Sequence, residues 1–121
     1  SLLKSNGLDT SSEAYRTMSD QVDKIYSKGK LTNSDYKKIN NIYKKWDVQV
    51  MEILYPYIRN YGADAVLNNA EVSDLLDNVI KVPSDYEKNK KGYYISAPRL
   101  NKQRGFAQSY IKYLYEQMGG K

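Results

Sequence analysis

The sequence contains neither cysteine nor histidine, and both absences narrow its chemistry. Without cysteine, the chain forms no disulfide and offers no thiolate to zinc or to an iron–sulfur cluster. Without histidine, it lacks the commonest metal ligand and the commonest general base, which also excludes Ser–His–Asp triads. Any chemistry must therefore come from carboxylates, tyrosine, lysine and arginine.

Long apolar runs are missing as well. The mean hydropathy is −0.76, and no stretch approaches the ~18 consecutive apolar residues that a membrane span requires. The first residues also lack the basic and apolar pattern of a secretory signal peptide. We therefore expect a soluble protein without a membrane span and favour a cytoplasmic location.

The residues that are abundant define a basic, tyrosine-rich chain. With 121 residues, 40% of them hydrophobic, the chain is long enough for one domain with a hydrophobic core. It contains 15 Lys, 13 Tyr and 10 Asn but only 4 Arg, and the three favoured residues all have AT-rich codons. This bias is typical of an AT-rich gene, so we expect a bacterial, phage or mobile-element origin, and the chain as part of a larger phage or mobile-element protein is one hypothesis.

Apolar residues recur at three- and four-residue spacings, which is the period of an amphipathic helix. The first such stripe consists of Tyr15, Met18, Val22 and Ile25. Thr10 and Glu13 have the spacing of a capping box that would begin this helix, and Gly29 suits the left-handed backbone that ends one. Residues 1–11, which precede it, are predicted to form a leader that is either flexible or packed on the core through Leu2, Leu3 and Leu8.

A second and longer stripe follows, and it holds its phase as far as Tyr61, for about seven turns. Thr32 and Asp35 repeat the capping-box spacing at its start. Pro56 falls inside the stripe and removes a backbone donor, which predicts a kink or break just before it. Because only residues 29–32 connect the two helices, we expect them to fold back as an antiparallel α-hairpin.

The second half of the chain shows shorter helical signals. A short apolar piece follows Gly62, and Asn69 is expected to cap a further helix that ends before Pro83. Residues 83–97 are irregular and basic, and Pro98 suits the first turn of a C-terminal helix. The sequence thus predicts a single all-α domain over 1–121, with four to five helices built on the hairpin and a basic irregular loop before the last helix.

Charge is unevenly distributed along the chain. Residues 24–45 and residues 81–121 each carry a net charge of +6, whereas residues 46–80 carry −5. If the two basic blocks pack side by side, their side chains form one phosphate-binding face. If they do not, they are the solvated faces that surface helices ordinarily show.

Residues 88–104 are the strongest candidate binding surface, because lysines and arginines alternate there with tyrosines. Proteins that bind single-stranded nucleic acid use this mixture, with cations for phosphates and aromatic rings for bases. No RNP-type, KH-type or zinc-finger signature accompanies it, and tyrosines at such positions also cover helical cores. Lysines of the second helix extend the surface. The predicted binding residues are Lys88, Lys90, Lys91, Tyr93, Tyr94, Arg99, Lys102, Arg104, Lys37, Lys38, Lys44 and Lys45.

Signals for an enzyme are weaker. Glu71, Asp74 and Asp77 share one helical face and could hold a divalent cation or form an acid–base pair, but such triplets are common on solvated helices. Phosphate-binding glycine loops and the GxSxG and HExxH motifs are absent. A nuclease would have to rely on a tyrosine or Glu87 beside the basic segment. We therefore expect no catalytic residue, no metal ligand and no cofactor.

Protein interaction is the function that the sequence favours. Thirteen tyrosines exceed what this core can bury with satisfied hydroxyls, and tyrosine is enriched at interface hot spots. Tyr55, Tyr57 and Tyr61 spread over more than one helical face. Tyr113 and Tyr115 cannot both face inward. We predict a non-catalytic α-helical interaction or structural module whose partner is another protein or a second copy, with nucleic-acid binding as the alternative and a histidine-free toxin nuclease third.

Overall fold

The computed structural model describes residues 5–72, 75–86 and 104–120. Every regular element in these ranges is helical, which confirms the predicted all-α class. The α-helices are α1 (Glu13–Tyr26), α2 (Asn33–Tyr61), α3 (Ala63–Leu67) and α4 (Arg104–Gln117). A 3-10 turn at Ala70–Val72 and a π-helical stretch at Leu75–Val79 lie between α3 and α4. The predicted basic loop beyond residue 86 and the predicted helix start at Pro98 lie outside the described residues.

Helix α1 begins two residues later than the capping-box spacing predicts. Ser12, and not Thr10, is the N-cap, and its hydroxyl accepts a hydrogen bond of 3.1 Å from the backbone N–H of Tyr15. The Ser12 hydroxyl also donates to the carbonyl of Asp9 at 2.7 Å, which fixes the turn before the helix. At the other end, Gly29 has a φ of +92°, as expected for the residue that redirects the chain.

Helix α2 is 29 residues long and begins with the predicted capping box. The hydroxyl of Thr32 accepts from the backbone N–H of Asp35 at 3.2 Å, and the carboxylate of Asp35 accepts from the N–H of Thr32 at 2.9 Å. Of the kink or break predicted near Leu54 and Tyr55, the break is wrong, because the helix continues to Tyr61, while the kink stays a prediction. Buried neighbours on both sides of the proline, Leu54 and Ile58, hold this part of the helix in the core.

The core is built around α2, which contacts α1 and α4. Trp46 is only 3% exposed, and the ring of Tyr15 packs edge-on against it with centroids 5.6 Å apart. The buried apolar residues of α2 are Ile39, Tyr43, Trp46, Val50, Met51, Leu54 and Ile58. Helices α1 and α2 therefore pack against one another as expected, while their antiparallel hairpin stays a prediction.

The described residues 70–72 and 75–80 do not form the α-helix that their apolar spacing predicts. The N–H of Ile80 donates to the carbonyl of Leu75 at 2.9 Å, which is a five-residue π-type step. The carbonyl of Val79 is used outside the segment, since it accepts from the indole N–H of Trp46 at 2.9 Å. The wider turn also buries Leu75 and Leu76, which are adjacent in the chain. Tertiary contacts thus override the local preference for an α-helix.

No helix in the described part of the chain is both long enough and apolar enough to cross a membrane.

Candidate interaction surfaces

The structure describes only part of the predicted binding surface. Seven of its members, from Lys88 to Lys102, lie outside the described residues, and Arg104 is described only as the first backbone position of α4. The remaining four are exposed on α2, namely Lys37, Lys38, Lys44 and Lys45. That the two basic blocks form one surface stays a prediction.

Three of these four lysines keep their charge unpaired. Lys44 forms an ion pair with Asp85 at 2.8 Å, which links α2 to residues 79–85. Lys37, Lys38 and Lys45, which we call the lysine row, have no ion-pair partner among the described residues. Because Lys38 and Lys45 are seven residues apart, they lie two turns apart on the same face of the helix.

A groove of about 640 Å³ separates α1 from α2 on the side where Lys45 lies. Its least exposed lining residues are apolar: Met18 of α1 and Ile42 and Trp46 of α2. The exposed lining residues around this floor are Glu13, Ala14, Thr17 and Gln21 of α1 and Asn41, Lys45 and Gln49 of α2. An apolar floor between two helices with a mostly uncharged polar rim suits an amphipathic segment more than a reacting substrate.

Beyond the groove, the end of α2 carries exposed tyrosines. Tyr57 is 43% exposed and Tyr61 is 70% exposed, as expected for tyrosines that surround Pro56. Gln49, which lines the groove, is followed at four-residue steps by Ile53 and Tyr57, so the edge of the groove continues into this region. We call Tyr57 and Tyr61 the tyrosine end of α2.

The opposite side of α2 is filled by residues 79–85. The side-chain carbonyl of Asn40 accepts from the backbone N–H of Ser84 at 2.9 Å and from its hydroxyl at 3.0 Å. A carboxylate oxygen of Asp47 accepts from the backbone N–H of Lys81 at 2.9 Å. With the Lys44–Asp85 ion pair, these bonds fasten the segment along the helix. They also set where the chain departs toward the predicted basic loop.

Tyr86, the last described residue before that loop, lies against α4. Its hydroxyl shares a hydrogen bond of 2.7 Å with that of Ser109, and its ring lies 5.3 Å from Tyr110 and 5.8 Å from Tyr113. A second groove of about 480 Å³, which Lys112 also lines, runs along this contact. Tyr113 is 41% exposed while Tyr115 is buried, which confirms that the two do not both face inward. Lys112 is already paired with Asp64 at 2.7 Å.

The buried polar groups are structural. Asp47 is fully buried, and burial raises the pKa of its carboxyl well above the ordinary range. Burial likewise raises the pKa of the Tyr110 hydroxyl, which lies near Asp47. One carboxylate oxygen of Asp47 and the Tyr110 hydroxyl have no hydrogen-bond partner in the described structure. Asp47 holds residues 79–85 in place through its hydrogen bond with Lys81, and neither buried group is accessible to a substrate.

Metal ligands do not cluster in the described ranges, where no three acidic side chains come together. Of the predicted carboxylate triplet, Asp77 is exposed. Asp74 and the side chain of Glu71 lie outside the described residues.

Sequence periodicity predicts α1 and α2 but not the groove between them. The signal that could have indicated it is a run of uncharged polar residues facing the groove from both helices, Thr17 and Gln21 on α1 and Asn41 and Gln49 on α2. Elsewhere on these helices the exposed positions are mostly charged. Neutral polar positions are tolerated on any surface, so this signal becomes informative only once the helices are paired.

No protein-family model matches the chain, and no curated protein and no solved structure is detectably similar to it.

Proposed function

We propose that this chain is a non-catalytic protein-interaction module that binds an amphipathic helical segment in the groove between α1 and α2. The observation that carries the proposal is the groove itself, with its apolar floor and its mostly uncharged rim. An amphipathic helix would place its apolar stripe on that floor and leave its polar face in solvent.

The floor is held in place before any partner arrives. Trp46 is fixed by its hydrogen bond to the carbonyl of Val79 and by the edge contact with Tyr15. A rigid floor loses little conformational entropy on binding. Lys45, which lines the groove, would favour a partner whose flanking residues are acidic, mainly by accelerating encounter.

The proposal is tested with a phage-displayed library of peptides patterned as amphipathic helices. The protein is used as bait, and selected peptides are assayed against two variants. Ala14→Arg places a long charged side chain in the groove, whereas Ala65→Arg makes the same change at an exposed position of α3 that does not line the groove. We expect Ala14→Arg to abolish binding and Ala65→Arg to leave it unchanged.

Two results would contradict the proposal. One is the recovery of peptides that bind both variants equally well, which would place the interaction site elsewhere. The other is degradation of RNA or DNA by the purified chain in the presence of Mg²⁺, which would make the protein an enzyme.

Nucleic-acid binding is the second candidate, because the lysine row is exposed and none of the described acidic residues pairs with it. The probe is fluorescence anisotropy of short single- and double-stranded DNA and RNA between ~50 and ~200 mM salt, a range over which several phosphate contacts weaken binding by orders of magnitude. Replacing Lys37, Lys38 and Lys45 with Gln should then lower the salt slope by about 0.9 for each duplex phosphate that the row neutralises.

A control with the same change in charge keeps this test specific. Lys24, Lys30 and Arg59 are exposed and lie outside the row, so their replacement with Gln should leave the salt slope nearly unchanged. Equal effects of the two triple variants would indicate a general charge effect. Absence of binding at ~50 mM salt would remove the nucleic-acid candidate.

A further inference from the structure

We infer that the segment that fits the groove is the end of α2 from a second copy of the chain, so that two copies form a two-fold symmetric dimer with antiparallel α2 helices. This inference rests on the proposed function, because it assigns the occupant of the same groove. A two-fold interface requires one surface to carry both the receiving and the inserted part.

Helix α2 carries both parts along one edge. Lys45 and Gln49 line the groove, and the next residues at the same four-residue step are Ile53 and Tyr57. Helix α1 begins at Glu13, which lines the groove, so the α-helical part of α1 does not extend along the tyrosine end. Tyr57 is accordingly 43% exposed although Trp46, three turns earlier, is buried. The groove and the uncovered aromatic end are therefore adjacent parts of one helix.

An antiparallel arrangement with the two-fold axis at Gln49 brings these parts together. Tyr57 lies eight residues after Gln49, about 12 Å along the helix at ~1.5 Å per residue. It therefore reaches the level of residues 41 and 42 of the second copy, where Ile42 forms part of the apolar floor. By symmetry the second copy inserts its own Tyr57 into the first groove, and both tyrosine ends become covered.

The charges flanking the axis are complementary in this register, which favours a second copy over an unrelated helix. Lys45 and Glu52 are both exposed and lie seven residues apart on the same side of α2. Reversal about Gln49 brings Glu52 of each copy level with residue 46 of the other, beside Lys45. Two reciprocal Lys–Glu pairs result. A like-charge approach of Lys38 to Arg59 of the second copy falls toward the ends of the contact, where solvent screens it.

The test is sedimentation equilibrium of the full chain with charge-reversed variants. Wild-type protein is expected to form dimers, and Lys45→Glu or Glu52→Lys alone should weaken dimerisation about ten-fold or more, because each places two like-charge pairs at the interface. An equimolar mixture of the two variants should restore dimerisation, since the heterodimer has two opposite-charge pairs. Failure of the mixture to recover would overturn the inference.

Tyrosine variants with matched exposure provide a second readout. Tyr57→Ala should weaken the dimer, whereas Tyr113→Ala, at 41% exposure on α4, should not.

Cysteine cross-linking gives a third readout. Because the natural chain has no cysteine, Gln49→Cys should form a disulfide-linked dimer on mild oxidation much faster than Glu116→Cys. Equal behaviour within either pair would contradict the register.

The outcomes separate this inference from the proposed function. A chain that remains monomeric at ~1 mM overturns the dimer, since that concentration would detect even weak association. Groove-dependent peptide binding, judged by Ala14→Arg against Ala65→Arg, can still hold in that case. If no peptide binds in the groove but the dimer forms in the proposed register, the groove serves self-association alone.

Discussion

Similar polar side chains have different roles on the two sides of α2. Asn40 is 1% exposed and accepts two hydrogen bonds from Ser84, whereas Asn41, the next residue, is exposed and lines the open groove. Similarly, Asp47 is buried against Lys81, while Gln49 lies at the rim. On one side of the helix, Asn40 and Asp47 each use one side-chain oxygen to hold residues 79–85, and on the other side Asn41 and Gln49 stay exposed.

This difference explains how a long helix can both organise the fold and offer a surface. Polar side chains on the filled side replace the hydrogen bonds that residues 79–85 would otherwise make with water or within a helix. Polar side chains on the groove side remain solvated and cost little to leave unpaired until a partner arrives. Substitutions on the two sides of α2 test this difference. The first is at Trp46, which bonds to Val79 and also lines the groove.

Trp46→Ala should have the largest effect. It removes the floor of the groove, the contact with Tyr15 and the hydrogen bond to Val79. We expect the free energy of unfolding to fall by about 3–5 kcal/mol, measured by urea denaturation. Tyr61→Ala, at 70% exposure, should cost less than about 0.5 kcal/mol. A Trp46→Ala protein with nearly native stability would show that the core is assigned wrongly.

Asp47 should make the protein less stable as the pH rises. Burial raises its pKa in the folded state, so in the window above the ordinary aspartate pKa of about 4 the folded chain keeps a proton that the unfolded chain has released. The free energy of unfolding should fall by up to about 1.4 kcal/mol per pH unit in this window, and Asp47→Asn should flatten the slope. An unchanged slope in the variant would show that another group causes the pH dependence.

Neither histidine nor Asp35 contributes to the slope in that window. The chain has no histidine. The hydrogen bond from Lys28 lowers the pKa of Asp35 to about 2, so the stabilisation from its ionised form is present above the ordinary aspartate pKa. That contribution is lost only as the pH falls from about 4 toward 2, below the range of the measurement.

Asn40→Ala and Asn41→Ala compare the two sides at adjacent positions. The first change leaves the buried N–H and hydroxyl of Ser84 without their acceptor, and we expect a loss of about 1–3 kcal/mol. The second should alter stability by less than about 0.5 kcal/mol. Chemical denaturation of both variants checks the contrast, and equal losses would show that Asn41 is also part of the fold.

Thr32→Ala should have a smaller effect, at about 1 kcal/mol, because it removes the hydroxyl that caps α2. Thr17→Ala is the matched change at the rim of the groove and should be close to neutral for stability. The thermal midpoints of the two variants provide the comparison. A larger loss at Thr17 than at Thr32 would contradict the distinction between structural and available polar groups.

The sequence predicts the parts of this fold that depend on local patterns. The stripe of α2, its capping box at Thr32 and the burial of Trp46 all follow from spacing and residue type. The continuous helix through Pro56 and the π-helical stretch at Leu75–Val79 depend on packing with distant residues, which spacing does not reveal. The Lys44–Asp85 pair joins residues 41 positions apart, so local spacing does not predict it either.

The candidate site is also predictable from the sequence only in part. Charge distribution indicates the basic stretch with Lys37, Lys38, Lys44 and Lys45, but it does not reveal that Lys44 pairs with Asp85. The groove, in contrast, exists only where two helices meet, and its rim is made of residues that are ordinary on either helix alone. The predicted segment 88–104 lies outside the described residues, apart from the position of Arg104 at the start of α4.

The most direct test of the groove is the fluorescence of Trp46, the single tryptophan of the chain, which lies in the groove floor. A peptide selected for binding is titrated into the protein, and its own labelled anisotropy is recorded alongside the tryptophan emission. We predict that Trp46 emission shifts and saturates with the same Kd as the anisotropy. A rise in anisotropy that leaves Trp46 emission unchanged would show that partners bind elsewhere.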